Sequence, residues 1–232
     1  MEGNNLKING SGSAAGGTYH NVVIKGEGTI GAGLDCAKFR CYGTSVLSGD
    51  AKVQSLHIYG EAEVAGRLKA DKAKIYGTAE ISGNADISET AVKGILTVGG
   101  NLTGDECDIK GTVAVKGDCE AERFTLNGNL EIDGLLNAGE VDVALRFGES
   151  SVGEIGGTAI KVRNKRGLFK KNSGFLSAKV IEGDDIYLEN TSAGIVRGNR
   201  VRIGPGCRIE TVEYNSDYHV SDKAEVKENR QI

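Results

Sequence analysis

Apolar and polar residues alternate along most of this chain, and the alternation is locked to glycine. Gly26, Gly43, Gly60, Gly77, Gly94, Gly111 and Gly128 recur every 17 residues, and Gly49, Gly66, Gly83, Gly100, Gly117 and Gly134 run beside them in the same register. Two residues before each first-series glycine stand Ile24, Cys41, Ile58, Ile75, Val92, Ile109 and Leu126. Four residues after it stand Ile30, Leu47, Val64, Ile81, Val98, Val115 and Ile132. This two-residue period belongs to strands with one buried face. The opposite phase carries Lys25, Glu27, Glu61, Lys74, Glu80, Asp108 and Glu131. Each unit therefore holds short strands separated by bends, where glycine is expected for its tolerance of positive φ.

A 17-residue unit without helical periodicity is too short for a helical repeat and fits one coil of a parallel β-helix, an all-β solenoid. Left-handed coils with 18 residues per turn do not match that spacing. Inward columns support the assignment. Leu34, Ala51, Leu68, Ala85, Leu102, Cys119 and Leu136 alternate large with small, while Cys36, Val53, Ala70, Ile87, Gly104, Ala121 and Ala138 are larger beside Ala51 and Ala85. Such compensation holds each layer near constant volume. A third column, Gly28, Ser45, Ala62, Ala79, Leu96, Val113 and Leu130, grows along the chain and predicts a coil narrower at its N-terminal end.

The lattice lapses after Val143 and returns from Val180 with a spacing of 15, pairing Val180 with Ile195, Gly183 with Gly198, Ile186 with Val201 and Leu188 with Ile203. The predicted organisation is a flexible segment over 1–20, coils of about 17 residues over 21–144 and a loop break with a basic insert over 145–178. A second short coil segment over 179–220 follows, its last rung near Cys207 to Tyr214, and then a frayed tail over 221–232. Roughly ten coils are expected in all.

Composition agrees with small stacked layers: 35 Gly, one Pro, no Trp and 5% aromatic residues make poor material for a core of large side chains. A net charge of −4 argues against a general nucleic-acid binder. No apolar run approaches a membrane span and no signal-peptide core opens the chain, so a cytoplasmic location is expected. Five cysteines without a CxxC pair suggest reduced thiols. Cys36, Cys41, Cys107 and Cys119 fall in the inward phase and Cys207 in a turn, so all read as structural. His20, His57 and His219 are scattered, and no metal site or cofactor is expected. The run Gly26-Glu27-Gly28-Thr29-Ile30-Gly31 matches GxGxxG, but no helix pattern follows and Gly26 belongs to the lattice. Outward acids such as Asp50, Glu63, Glu80 and Asp86 leave a paired-carboxylate glycosidase as a lesser alternative to a solvated coil face.

Two features stand off the lattice or on its skin. Tyr42, Tyr59 and Tyr76 share one outward column on successive coils, as sheet-surface stabilisers or as a protein contact face. Lys161, Arg163, Lys165, Arg166, Lys170, Lys171 and Lys179 gather in a stretch free of acids from 155 to 181, interleaved with Leu168, Phe169, Phe175 and Leu176. Such a stretch is a solvated loop, or it suits an anionic membrane surface or an acidic face of a neighbouring subunit.

The glycine lattice together with the run Val196-Arg197-Gly198-Asn199-Arg200-Val201-Arg202-Ile203-Gly204-Pro205-Gly206-Cys207 resembles the bactofilins, polymer-forming cytoskeletal proteins of bacteria, over nearly the whole chain. The opening Gly10-Ser11-Gly12-Ser13-Ala14-Ala15-Gly16-Gly17 is similar to longer members of that family. The resemblance implies a right-handed β-helix that stacks end to end into filaments without nucleotide. It also implies a non-enzymatic scaffold for cell shape, polarity or motility. Its partners would be copies of itself or a sister protein, with peripheral membrane association at the inner face of the cell membrane as an option and no nucleic acid. An open terminal rung is an independent reason for self-assembly. The alternative is a β-helical adaptor that docks a partner through the tyrosine column or the basic insert.

Overall fold

A computed structural model describes residues 4–146, 148–164 and 174–232. Every element is a strand: the chain is an all-β parallel solenoid of about 13 turns with roughly 17 residues per coil. It divides into two compact units, Met1–Gly117 and Asp118–Ile232.

In the N-terminal unit, β1 (Asn4–Ala14) pairs in parallel with β2 (Gly17–Ile30). The next coils each hold a long and a short strand: β3 (Leu34–Cys41) with β4 (Thr44–Leu47), β5 (Ala51–Ile58) with β6 (Glu61–Val64), β7 (Leu68–Ile75) with β8 (Thr78–Ile81), and β9 (Ala85–Val92) with β10 (Ile95–Val98). The unit ends with β11 (Leu102–Thr103), β12 (Glu106–Ile109) and β13 (Thr112–Val115). Long strands stack on long and short on short at the 17-residue offset, as in Leu34↔Ala51↔Leu68↔Ala85. The compensating columns face inward, with Leu34, Ala51, Leu68 and Ala85 buried beside Cys36, Val53, Ala70 and Ile87. The second column is interrupted at Gly104, where a Cβ would strike the Ile87 carbonyl and the strand divides into β11 and β12.

Gly26, Gly94, Gly111 and Gly128 take the positive φ expected of the lattice glycines, and the other three are required for a different reason. Gly43, Gly60 and Gly77 do not take positive φ. Instead, a Cβ on Gly60 would collide with the carbonyl oxygen of Gly43, and one on Gly77 with that of Gly60, so the bends stack backbone on backbone. The second series makes room for side-chain caps. The Asn84 Oδ1 accepts from the Asn101 N–H at 3.0 Å, and the Asp50 Oδ1 accepts from the Arg67 N–H at 2.8 Å. A Cβ on Gly100 or Gly66 would strike those same oxygens.

The C-terminal unit contains β14 (Cys119–Leu145), β15 (Glu149–Asn164), β16 (Phe175–Leu188), β17 (Thr191–Ile203), β18 (Arg208–Val220) and β19 (Glu225–Gln231). The 15-residue spacing expected between 180 and 203 is the register of β16 on β17, with Ile186↔Val201 and Leu188↔Ile203.

Three boundaries differ from the sequence reading, all for one reason: parallel backbone pairing persists where coil length or composition changes. The described part of 145–178 is not a break, because β15 (Glu149–Asn164) continues the stack with Val141↔Ile160 and Val143↔Val162, and Ile155, Ile160 and Val162 are buried. The offsets there are 19 to β14 and 26 to β16, for example Ile155↔Ile181, so a fixed lattice loses them. The segment expected to be flexible contains β1, displaced from the lattice by a 16-residue offset (Ile8↔Ile24) and anchored by buried Ile8. The expected tail contains β19, a polar strand held to β18 by backbone bonds and by ion pairs such as Lys227–Glu210 at 2.7 Å.

Candidate functional site

Strands β3, β5 and β7 position the tyrosine column because each ends one residue before a lattice tyrosine, and the following glycine bend fixes the spacing. Tyr42, Tyr59 and Tyr76 are 50%, 48% and 44% exposed. Their ring centroids lie 5.0 and 5.3 Å apart with interplanar angles of 1° and 3°. The ladder is closed at both ends: Lys25 Nζ lies 5.8 Å from the Tyr42 centroid and Lys93 Nζ 5.4 Å from that of Tyr76. Because the rings cover one another's faces and the lysines cover the two ends, the site offers edges and hydroxyls. A sugar ring or a nucleobase needs an open aromatic face to stack on.

The columns beside the ladder are basic. Arg40, His57 and Lys74 stack in register, as do Lys38, Ser55 and Lys72. Lys72 is tied to Glu89 at 2.7 Å, whereas Lys25, Lys38, Arg40, Lys74 and Lys93 have no ion pair among the described residues. Burial pushes the His57 pKa down and the nearby Lys74, Arg40 and Lys38 push it further, so at neutral pH the ring is uncharged. Across the glycine bend the sign reverses: Glu27, Glu61, Glu63 and Glu80 are exposed on β2, β6 and β8, and Glu63 stands opposite Glu80. The sequence reading missed the lysine clamps and this sign change. Their signal is the column itself, since Lys25 and Lys93 precede Gly26 and Gly94 as each tyrosine precedes its glycine.

The basic insert is only partly in view. Lys165, Arg166, Lys170 and Lys171 lie outside the described residues, as do Leu168 and Phe169. Lys161 and Arg163 lie on β15 and line a groove of about 860 Å³ with Tyr187, Asp185, Arg200 and Arg202. Most of its cations are neutralised: Arg163 reaches Asp142 at 2.7 Å, Arg200 pairs with Asp185, and Arg202 lies 3.9 Å from Asp217. Its Tyr187 hydroxyl donates to Glu189 Oε1 at 2.6 Å, which with burial raises the phenol pKa to about 12. Leu176, counted among the apolar residues of the insert, is a core residue of β16. Structure thus brings Lys161 and Arg163 together with paired arginines, whereas Lys25, Lys38, Arg40, Lys74 and Lys93 around the tyrosine column make no ion pair among the described residues.

The remaining candidates fall into structural roles. All five cysteines are buried and outside any disulfide, and burial raises the thiol pKa of Cys36 to about 12 and those of Cys107 and Cys207 to about 11. Residues 26–30 of the GxGxxG match lie within β2, with no helix after them. Asp50 and Asp86 line a groove of about 630 Å³ with Lys52, Arg67 and Lys69. The Asp50 pKa is lowered, chiefly by the Arg67 backbone N–H, and Asp86 pairs with Lys69 at 3.1 Å. Among the described residues, no three His, Cys, Asp or Glu side chains cluster as a metal site, and no helix is long and apolar enough to cross a membrane.

No family model matches the sequence, and no solved structure matches it. Two proteins of Bacillus subtilis match along its length. The uncharacterized protein YhbF is 57% identical over 228 residues, covering 98% of this chain and 97% of its own. The uncharacterized protein YhbE is 57% identical over 231 residues, covering 98% of each. At that identity over nearly the full length of both relatives, the chain belongs to the YhbE and YhbF family.

Proposed function

We propose that this chain is a non-enzymatic scaffold that assembles by stacking the ends of its solenoid, as the resemblance to bactofilins implies, and serves bacterial cell shape, polarity or motility. The observation that carries the reading is the state of the terminal rungs. Strand β1 is paired along one edge to β2 and β19 along one edge to β18, and the outer edge of each meets no other strand among the described residues. Such an edge presents a row of backbone donors and acceptors that another chain satisfies by strand addition. Stacking of this kind uses main-chain groups and needs no nucleotide or metal.

A catalytic reading draws less support: Asp50 and Asp86 are tied to cations and Asp50 is shifted away from the raised pKa that a general acid needs, which leaves it only Glu63 and Glu80, exposed in adjacent register on a flat sheet face. That one organism carries two full-length relatives supports a sister protein as an alternative partner in the filament. Electron microscopy of the purified protein at micromolar concentration tests the proposal. Filaments one solenoid wide are expected, and discrete monomers at both low and high salt would contradict it.

A further inference from the structure

The N-terminal unit has two faces of opposite sign, and both are written in the same coil repeat. On the tyrosine face, the column Arg40, His57, Lys74 alternates charged, neutral, charged along successive coils. On the adjacent face, the column Glu27, Thr44, Glu61, Thr78 also alternates charged and neutral. Each column therefore repeats its charge every two coils, about 9.6 Å. Neither set is satisfied internally: Lys25, Lys38, Arg40, Lys74 and Lys93, and likewise Glu27, Glu61, Glu63 and Glu80, make no ion pair among the described residues. The hydroxyls of Tyr42, Tyr59 and Tyr76 have no acceptor there either.

We infer that the tyrosine face of one copy docks side by side on the Glu27–Glu80 face of a second copy, with the coil repeat setting the register. Arg40 and Lys74 meet Glu27 and Glu61 at matching intervals, and the phenol hydroxyls donate to carboxylates between them. The second copy is favoured over other anionic partners because its charge has the same period as the site, whereas a lipid surface or a disordered acidic peptide has none. A contact between two different faces is heterologous, so it propagates. Each docked pair still exposes one free face of each sign. This goes beyond end-to-end stacking: it is lateral, carried by side chains and sensitive to salt.

The test is a face swap read by light scattering and sedimentation at low salt. Inverting one face, by Arg40→Glu with Lys74→Glu or by Glu27→Lys with Glu61→Lys, is expected to weaken side-by-side association by about tenfold or more. Mixing the two inverted proteins sets the all-acidic faces of one against the all-basic faces of the other and should restore association in alternating order. Combining all four substitutions in one chain restores complementary faces and should restore association. A second readout uses the buried state of the native cysteines. Under mild oxidation, a mixture of Tyr59→Cys and Thr44→Cys chains should cross-link as heterodimers in excess of homodimers. Circular dichroism checks that each variant keeps its strands. Association unchanged by inverting a face, or lost and not recovered in the fourfold swap, would overturn the inference. So would binding to phosphatidylserine vesicles that depends on Arg40 and Lys74 while scattering does not. Single-width filaments that persist in the inverted variants keep end stacking intact, so failure of the two proposals is distinguishable.

Discussion

The two units solve the same stacking problem with different side chains. In the N-terminal unit, the coils repeat at 17 residues, glycine bends stack directly, and Asp50 and Asn84 cap the next coil. Its ion pairs Lys52–Asp35, Arg67–Asp50 and Lys69–Asp86 lie toward one groove, and beside the tyrosine column Lys72 pairs with Glu89 while Lys25, Lys38, Arg40, Lys74 and Lys93 stay unpaired among the described residues. In the C-terminal unit, offsets run from 15 to 26 and adjacent coils are tied by ion pairs: Arg163 to Asp142, Arg200 to Asp185, and Glu213 between Arg197 and Arg230. The regular backbone lattice leaves part of its surface charge unpaired among the described residues. An irregular one uses its charge to hold itself.

Breaking the lattice should give the largest effect. Gly60→Ala places a Cβ against the Gly43 carbonyl, and a loss of about 3 kcal/mol is expected in urea unfolding. Gly139→Ala in the other unit meets the Glu122 carbonyl at 3.0 Å, where small shifts relieve it, and should cost about 1 kcal/mol or less. Equal costs at the two sites would contradict the dependence on how closely the Cβ meets the carbonyl of the coil below. Next in size is Tyr59→Ala, which removes both stacked contacts of the ladder and should lower stability by about 1–2 kcal/mol by the same unfolding assay. Tyr76→Ala, with one such contact, should cost less.

Titration sharpens the comparison further. Glu213 is buried, and the Arg230 and Arg197 hydrogen bonds hold its pKa below the ordinary carboxylate value. Its stabilising contribution is therefore full above the unfolded pKa of about 4.3 and is lost as pH falls through the lower folded value. Glu213→Gln should flatten acid unfolding of the C-terminal unit, and an unchanged acid limb would contradict the assignment. The smallest effect is at His57, which faces Lys38 and Arg40 on β3, Lys74 on β7 and the Tyr59 ring of the next corner. Its folded pKa is depressed, so its contribution is present above about 6.5 and declines as pH falls through the folded value. Proton NMR should show His57 titrating below that value and moving up in Lys74→Ala.

Much of this was legible from the chain because inward phase and lattice position coincide. Leu34 to Leu136, the buried cysteines, the tyrosine column and the β16–β17 register all follow from fixed spacing. Strands β1, β15 and β19 were hidden for a physical reason: backbone pairing tolerates a change of coil length, whereas periodicity analysis does not. The role of Gly60 was misread because φ is a local property and the collision with Gly43 arises only once coils stack. At the site, Arg163 resembled a free cation until β15 brought it against Asp142, 21 residues earlier. The unpaired state of Arg40 and Lys74 likewise depends on which side chains the register places nearby.

The most direct test of the account is electron microscopy of the full chain at micromolar concentration, at low salt and at about 1 M salt, where charges are screened beyond about 3 Å. Main-chain end stacking predicts filaments in both conditions, and the charged faces predict side-by-side bundles only at low salt. Discrete monomers in both conditions would contradict the central claim of a self-assembling scaffold.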